Sequence, residues 1–173
     1  MFGSDRAKLK KVSVSLPWGI GTAEWETDES ERRAAWELYV ELVTRITVQP
    51  LGPGLGLMRE ALSSLYSLFG ATRQILRAAG PDIGASRRSV GGVAIRALNQ
   101  GLRPFLSGWH PLLEGWEAQR PQTRSPKEWE DEWPESAKLR TALEALRADL
   151  EKYAEALAAI AGVEQALAPE RTG

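Results

Sequence analysis

Seven large side chains between Leu139 and Ile160 recur at steps alternating between four and three residues: Leu139, Leu143, Leu146, Leu150, Tyr153, Leu157 and Ile160. A helix of 3.6 residues per turn places all seven on one stripe, whereas a strand would scatter them over both faces. Alanines fill many of the intervening positions, so backbone preference agrees with the pattern. The chain therefore holds one long amphipathic helix whose apolar face requires a cover.

Other segments supply that cover. Ile95, Leu98, Leu102, Phe105, Trp109, Leu112 and Trp116 keep the same spacing, and Ala94, Gly101, Gly108 and Gly115 recur beside them at every seventh position. Small residues in such a line let a neighbouring backbone come close. Pro104 and Pro111 fall inside this stretch. Each removes an internal hydrogen bond at a cost of about 3 kcal/mol, which predicts a kinked or broken helix. An earlier helix should start at Thr27 or Asp28, present Trp36, Tyr39, Val40, Leu42, Val43 and Ile46 to the core, and end before Pro50. After a turn at 51–54, Leu55, Met58, Leu62, Leu65, Phe69 and Leu76 mark a helix over 55–79, stopped by Gly80 and Pro81. The stretch from Pro81 to Gly92, with Arg87 and Arg88 among glycines and serines, reads as a mobile loop.

Near the N-terminus, residues 11–16 alternate apolar with polar, placing Val12, Val14 and Leu16 on one face before Pro17. This is strand patterning with no obvious partner strand, so the segment should either pair with another chain or lie as an extended arm across the helices, which makes it a candidate docking segment. Trp18 and Trp25 bracket a Gly-Ile-Gly loop, and at least one of them should anchor it to the helices. The fold class expected is all-α: an irregular antiparallel four-helix bundle with a proline-broken third helix. Residues 1–27 would form the arm and tryptophan loop, 28–163 the helical domain, and 164–173 a frayed tail.

A chain of 173 residues without cysteine can bury a single core with no disulfide or thiolate metal site. It contains one histidine, His110, and no Glu-x-x-His pair, which argues against a multi-imidazole metal site or a di-metal bundle. The Gly52–Gly56 turn lacks the lysine and spacing of a phosphate loop. No cofactor, no metal and no catalytic residue is expected. The sequence also shows neither the central run of a signal peptide nor a membrane span, which predicts a cytoplasmic protein.

Charge is segregated along the chain. Residues 17–43 hold seven acids against two bases, and residues 114–135 seven against three. Between them, Arg73, Arg77, Arg87, Arg88, Arg96 and Arg103 face only Asp82 over 61–113. Such an arginine group suits an anionic partner, although oppositely charged helices side by side produce the same pattern. Seven tryptophans are present, and Trp129 and Trp133 stand four apart among acids, where they could anchor an interface. The expected function is a non-enzymatic adaptor or accessory subunit, self-associating or bound to another protein through Val12, Val14, Leu16, Trp18, Trp25, Trp129 and Trp133. The alanine, arginine and leucine bias suits a bacterial multi-protein system, for example one used in defence against phage. A small nucleic-acid-associated subunit using the six arginines and a ligand-binding regulatory bundle are the alternatives.

Overall fold

The computed structural model describes residues 10–45, 52 and 54–163. Ile46, Pro50, Leu51, Pro53 and the tail 164–173 lie outside them. The chain is mostly helical, with one short two-stranded sheet.

The N-terminal segment is the first correction. Strand β1, Lys10–Leu16, does have a partner: it pairs antiparallel with β2, Gly21–Thr27, from Lys10 opposite Thr27 to Leu16 opposite Gly21. Both central residues of the connecting turn have positive φ, 57° at Trp18 and 73° at Gly19, and the Ile20 N–H donates to the Pro17 carbonyl at 3.2 Å. A turn of this kind matches the right-handed twist of paired strands. It is costly for tryptophan, whose Cβ disfavours the left-handed region, so packing must hold it there. The Trp18 ring does pack, edge-on to Tyr153 at 5.8 Å. The inner residues Val14, Leu16 and Trp25 join the main core, so the expected arm is instead a hairpin lying on the last helix.

Helix α1 spans Glu29–Val43 and is capped by Asp28, whose carboxylate accepts from the Glu31 N–H at 2.8 Å. It buries Ala34, Ala35, Leu38, Tyr39, Leu42 and Val43, while Trp36 turns outward at 40% exposure. Helix α2 spans Met58–Ala79, three residues later than the hydrophobic pattern suggests, because Leu55 is exposed ahead of it. Pro81–Gly84 forms a 3₁₀ turn, and helix α3, Val90–Arg96, follows behind a Ser89 cap. The expected mobile loop is therefore held in place. Ile83 is buried, and a Cβ on Gly91 or Gly92 would lie 2.5 Å from the Ile83 carbonyl oxygen or 2.2 Å from that of Ser86. Only glycine permits that approach.

The helix expected to break does not. A π-helical stretch, Ala97–Leu102, joins α3 to α4, Arg103–Glu117, without interruption. The wider turn lies immediately before Pro104, where proline would otherwise clash with a carbonyl one turn back. Insertion of the π turn also rotates the face after it. Beyond it Leu106 and Leu113 are buried and Leu112 is about half exposed; Ile95, ahead of the π turn, is about half exposed as well. Of the glycine line only Gly101 meets a neighbour, the Trp18 ring, and Gly108 and Gly115 face open space.

Helix α5, Pro126–Asp131, opens with a complete capping box between Ser125 and Glu128. Helix α6, Ser136–Ala161, buries all seven residues of the stripe and ends at Gly162 in left-handed geometry. Helix α6 packs along α1, and Arg32 at the start of α1 reaches the Ala161 carbonyl at the end of α6. The two therefore run antiparallel, with β1 resting on α6, α2 on α1, and α4 on α2.

Candidate functional site

Polar chemistry gathers, among other places, in a pair of grooves beside β2 and in a cluster where α2, α4 and α5 meet. The grooves arise because the segment 82–96 stands across from β2. Glu31 joins the two walls, accepting from the Trp25 indole N–H at 2.9 Å and from the Val90 N–H at 3.1 Å. One groove of about 380 Å³ has a floor of Leu16, Ile20 and Val93 and a rim of Arg87, Arg88 and Arg96. These three arginines make no ion pair among the described residues. The adjoining groove, also about 380 Å³, is bordered by Glu24, Glu26, Asp28, Glu31 and Asp82 together with Arg88, and Glu24 and Arg88 line both grooves. The balance of charge thus shifts along β2, from three arginines against Glu24 in the first groove to five acids against Arg88 in the second.

Among the described residues the outer edge of β2 is unpaired: β1 is its only strand neighbour there, and residues 21–26 make no further backbone hydrogen bond. Counting from the Ile20 to Pro17 bond, the regular alternation of an antiparallel ladder turns Thr22, Glu24 and Glu26 toward β1. The backbone groups of Ala23 and Trp25 then point outward. An exposed strand edge of this kind is a template for another strand.

The second cluster is a clasp rather than an opening. The first residue of α2 follows Leu57, which has no capping side chain, and Glu130 of α5 supplies the missing acceptor. This carboxylate is buried and accepts from the Met58 N–H at 2.8 Å and the Arg59 N–H at 3.3 Å. The Arg59 guanidinium forks onto Glu117 at 2.7–3.1 Å, and its Nη1 lies 2.8 Å from His110 Nδ1. Arginine only donates, so His110 Nδ1 must accept and the ring proton sits on Nε2. Burial first, then the Arg59 charge, pushes His110 below the usual imidazole range. Hydrogen bonding to Glu117 holds Arg59 above the ordinary guanidinium range against its partial burial. His110 is accordingly neutral at pH 7 and serves as an acceptor for Arg59.

The tryptophans complete the clasp. Trp116 and Trp129 stack at 4.3 Å, and each indole N–H donates to the other's backbone carbonyl, at 2.6 and 2.8 Å. Trp133 is buried edge-on to Trp109. The structure therefore separates the residues expected to meet a partner. Val14, Leu16, Trp25 and Trp133 are spent on the internal core, Val12 and Trp18 are half-buried against it, and Trp129 is engaged by Trp116. The six arginines do not form one patch. Arg87, Arg88 and Arg96 share the groove, Arg103 lies over the Phe69 ring and bonds Asn99, and Arg73 and Arg77 stand exposed on α2 outside the groove lining.

Strand β2 itself had a signal in the sequence. Ala23, Trp25 and Thr27 alternate with exposed Thr22, Glu24 and Glu26 after a glycine turn. The long-range partners Arg59, Glu117 and Glu130 had none. The apolar cavity between Trp18, Leu38, Leu98 and Tyr153 holds about 10 Å³, room for little more than one water. Among the described residues no group of three or more acids and histidines is disposed to hold a metal ion, and no helix is long and apolar enough to cross a membrane. No family model, curated protein or solved structure matches this chain significantly.

Proposed function

We propose that this chain is a non-enzymatic accessory subunit that binds a partner protein by accepting an extended segment of it along β2. The observation that carries this reading is the outer edge of β2, unpaired among the described residues, held through β1 on α6 and bordered by two grooves. Added strands gain affinity from backbone hydrogen bonds and specificity from flanking pockets, and both elements are present. The long helices, taken as an irregular antiparallel bundle, serve to hold that hairpin. The scheme suits a small component of a bacterial multi-protein system.

Ala23→Pro provides the test, because proline removes an outward N–H at an edge position that can tolerate it and leaves the ladder to β1 intact. Wild type and variant, matched in circular dichroism, are purified from the native host and their companions identified by mass spectrometry. A stoichiometric protein retained by the wild type and lost from Ala23→Pro supports the reading. Equal retention by both removes β2 from it.

A further inference from the structure

Resting on the docking strand proposed above, we infer that the segment bound there is polarised in charge: acidic where it passes Thr22–Glu24, and neutral or basic where it passes Glu26 and Asp28. At the first position Arg87, Arg88 and Arg96 converge on one groove without any acid paired to them among the described residues. Carboxylates of an incoming strand can take the bidentate geometry that guanidinium groups favour, and the apolar floor of Ile20 and Val93 receives its alternate side chains. At the second position the border is acidic. Glu31 is occupied by Trp25 and Val90, Asp28 by the α1 cap and Glu26 by Lys11 at 3.6 Å, whereas the side chains of Glu24 and Asp82, which share this border with Arg88, make no ion pair or hydrogen bond among the described residues. A uniformly acidic segment would be repelled there.

The same sign change decides between a polypeptide and a nucleic acid. A phosphate backbone carries one charge at every step, so leaving the first groove along β2 it meets five bordering carboxylates against the single arginine Arg88. A polypeptide changes charge from residue to residue and pairs its backbone with the free N–H and C=O groups of Ala23 and Trp25. The surface fits that chemistry alone.

The biotinylated full chain is panned against a random 12-residue peptide library displayed on phage, and selected peptides are measured by fluorescence anisotropy. The expected peptides carry Asp or Glu toward one end and few or none toward the other. Arg87→Glu with Arg88→Glu should weaken them at least tenfold, and Ala23→Pro should do likewise, with both variants unchanged in circular dichroism. In their complex, backbone amides within 21–27 should exchange more slowly with solvent. Binders lost on Ala23→Pro but lacking any acidic preference, or indifferent to the arginine reversals, overturn the charge inference and leave the docking strand standing. Binders indifferent to Ala23→Pro, or no binders at all, overturn both. Displacement of the peptides by a 20-base-pair DNA duplex at 150 mM salt also overturns the inference, in favour of a polyanion.

Discussion

Replacing Glu130 with alanine should cost more stability than any other single change at an acidic residue described here. Helix α2 begins after Leu57, which offers its first turn no side-chain acceptor, and Glu130 accepts from two of the N–H groups left over. Loss of a helix cap costs about 1–2 kcal/mol. Met58 is 1% exposed, so water cannot replace the carboxylate, and an unsatisfied buried donor costs about 1–3 kcal/mol. These figures describe overlapping losses, and we take the net as about 2–4 kcal/mol. For a domain of this size each kcal/mol moves the melting midpoint by about 2–4 °C, so a fall on the order of 10 °C is expected. Glu130→Gln keeps one acceptor oxygen and should lose about half as much. Urea unfolding followed by circular dichroism at 222 nm measures both, with Glu132→Ala as control because its pair with Arg124 is exposed and worth well under 1 kcal/mol. If Glu130→Ala unfolds together with Glu132→Ala, Glu130 is not the cap of α2.

Four further outcomes follow from the geometry. Gly101→Ala puts a Cβ 2.4 Å from the Trp18 ring and should cost about 1–3 kcal/mol by overpacking, with a shift in tryptophan emission. Gly108→Ala and Gly115→Ala, where a Cβ meets nothing within 4 Å, should instead stabilise by about 0.5–1 kcal/mol; destabilisation there would show that this side of α4 is covered. A double-mutant cycle of Trp116→Ala and Trp129→Ala, read by urea unfolding, should give a coupling of about 0.5–1.5 kcal/mol from the stacked rings, and additive effects would show the two to be independent. His110 titrates below its ordinary 6.5 in the folded chain, so the unfolded chain takes up its proton first. The His110 contribution is complete above about pH 6.5 and is lost as pH falls from there through the folded value. Urea midpoints at pH 8 and 5.5 should therefore lie closer together in His110→Gln than in wild type.

The parts of this fold legible in the sequence are those written in short-range periodicity. The α6 stripe is correct at all seven positions, because each lies within one turn of the next and a single partner face covers them. The α4 stripe slips, because a π turn rotates everything after Leu102 and side-chain spacing carries no mark of it. Trp36 sits on the nominally apolar side of α1 yet faces outward, while Leu38 and two alanines fill the interface, since close packing against α6 favours small residues. The candidate site was legible only in part. Arg87, Arg88 and Arg96 could be named from charge, but their separation from Arg73, Arg77 and Arg103 depends on where the 82–96 segment folds. Glu130 and Arg59 meet a partner 58 to 72 positions away, a distance over which local pattern is silent.

The turn at Trp18 bears on when the outer strand becomes available. A hairpin nucleated by its own turn needs residues that accept positive φ cheaply, and here a tryptophan occupies the first such position. Its conformation is held by the ring lodged against Gly101 and Tyr153, residues that arrive more than 80 positions later in the chain. A peptide covering 10–28 alone should accordingly remain unstructured, as marginal two-stranded ribbons do in water. Strand β2 should form as a strand only once the π-helical stretch at 97–102 and α6 are in place, so a growing or damaged chain would have no finished edge to offer. Under the proposed docking role, competence to pair would thereby be conditional on the integrity of the whole body.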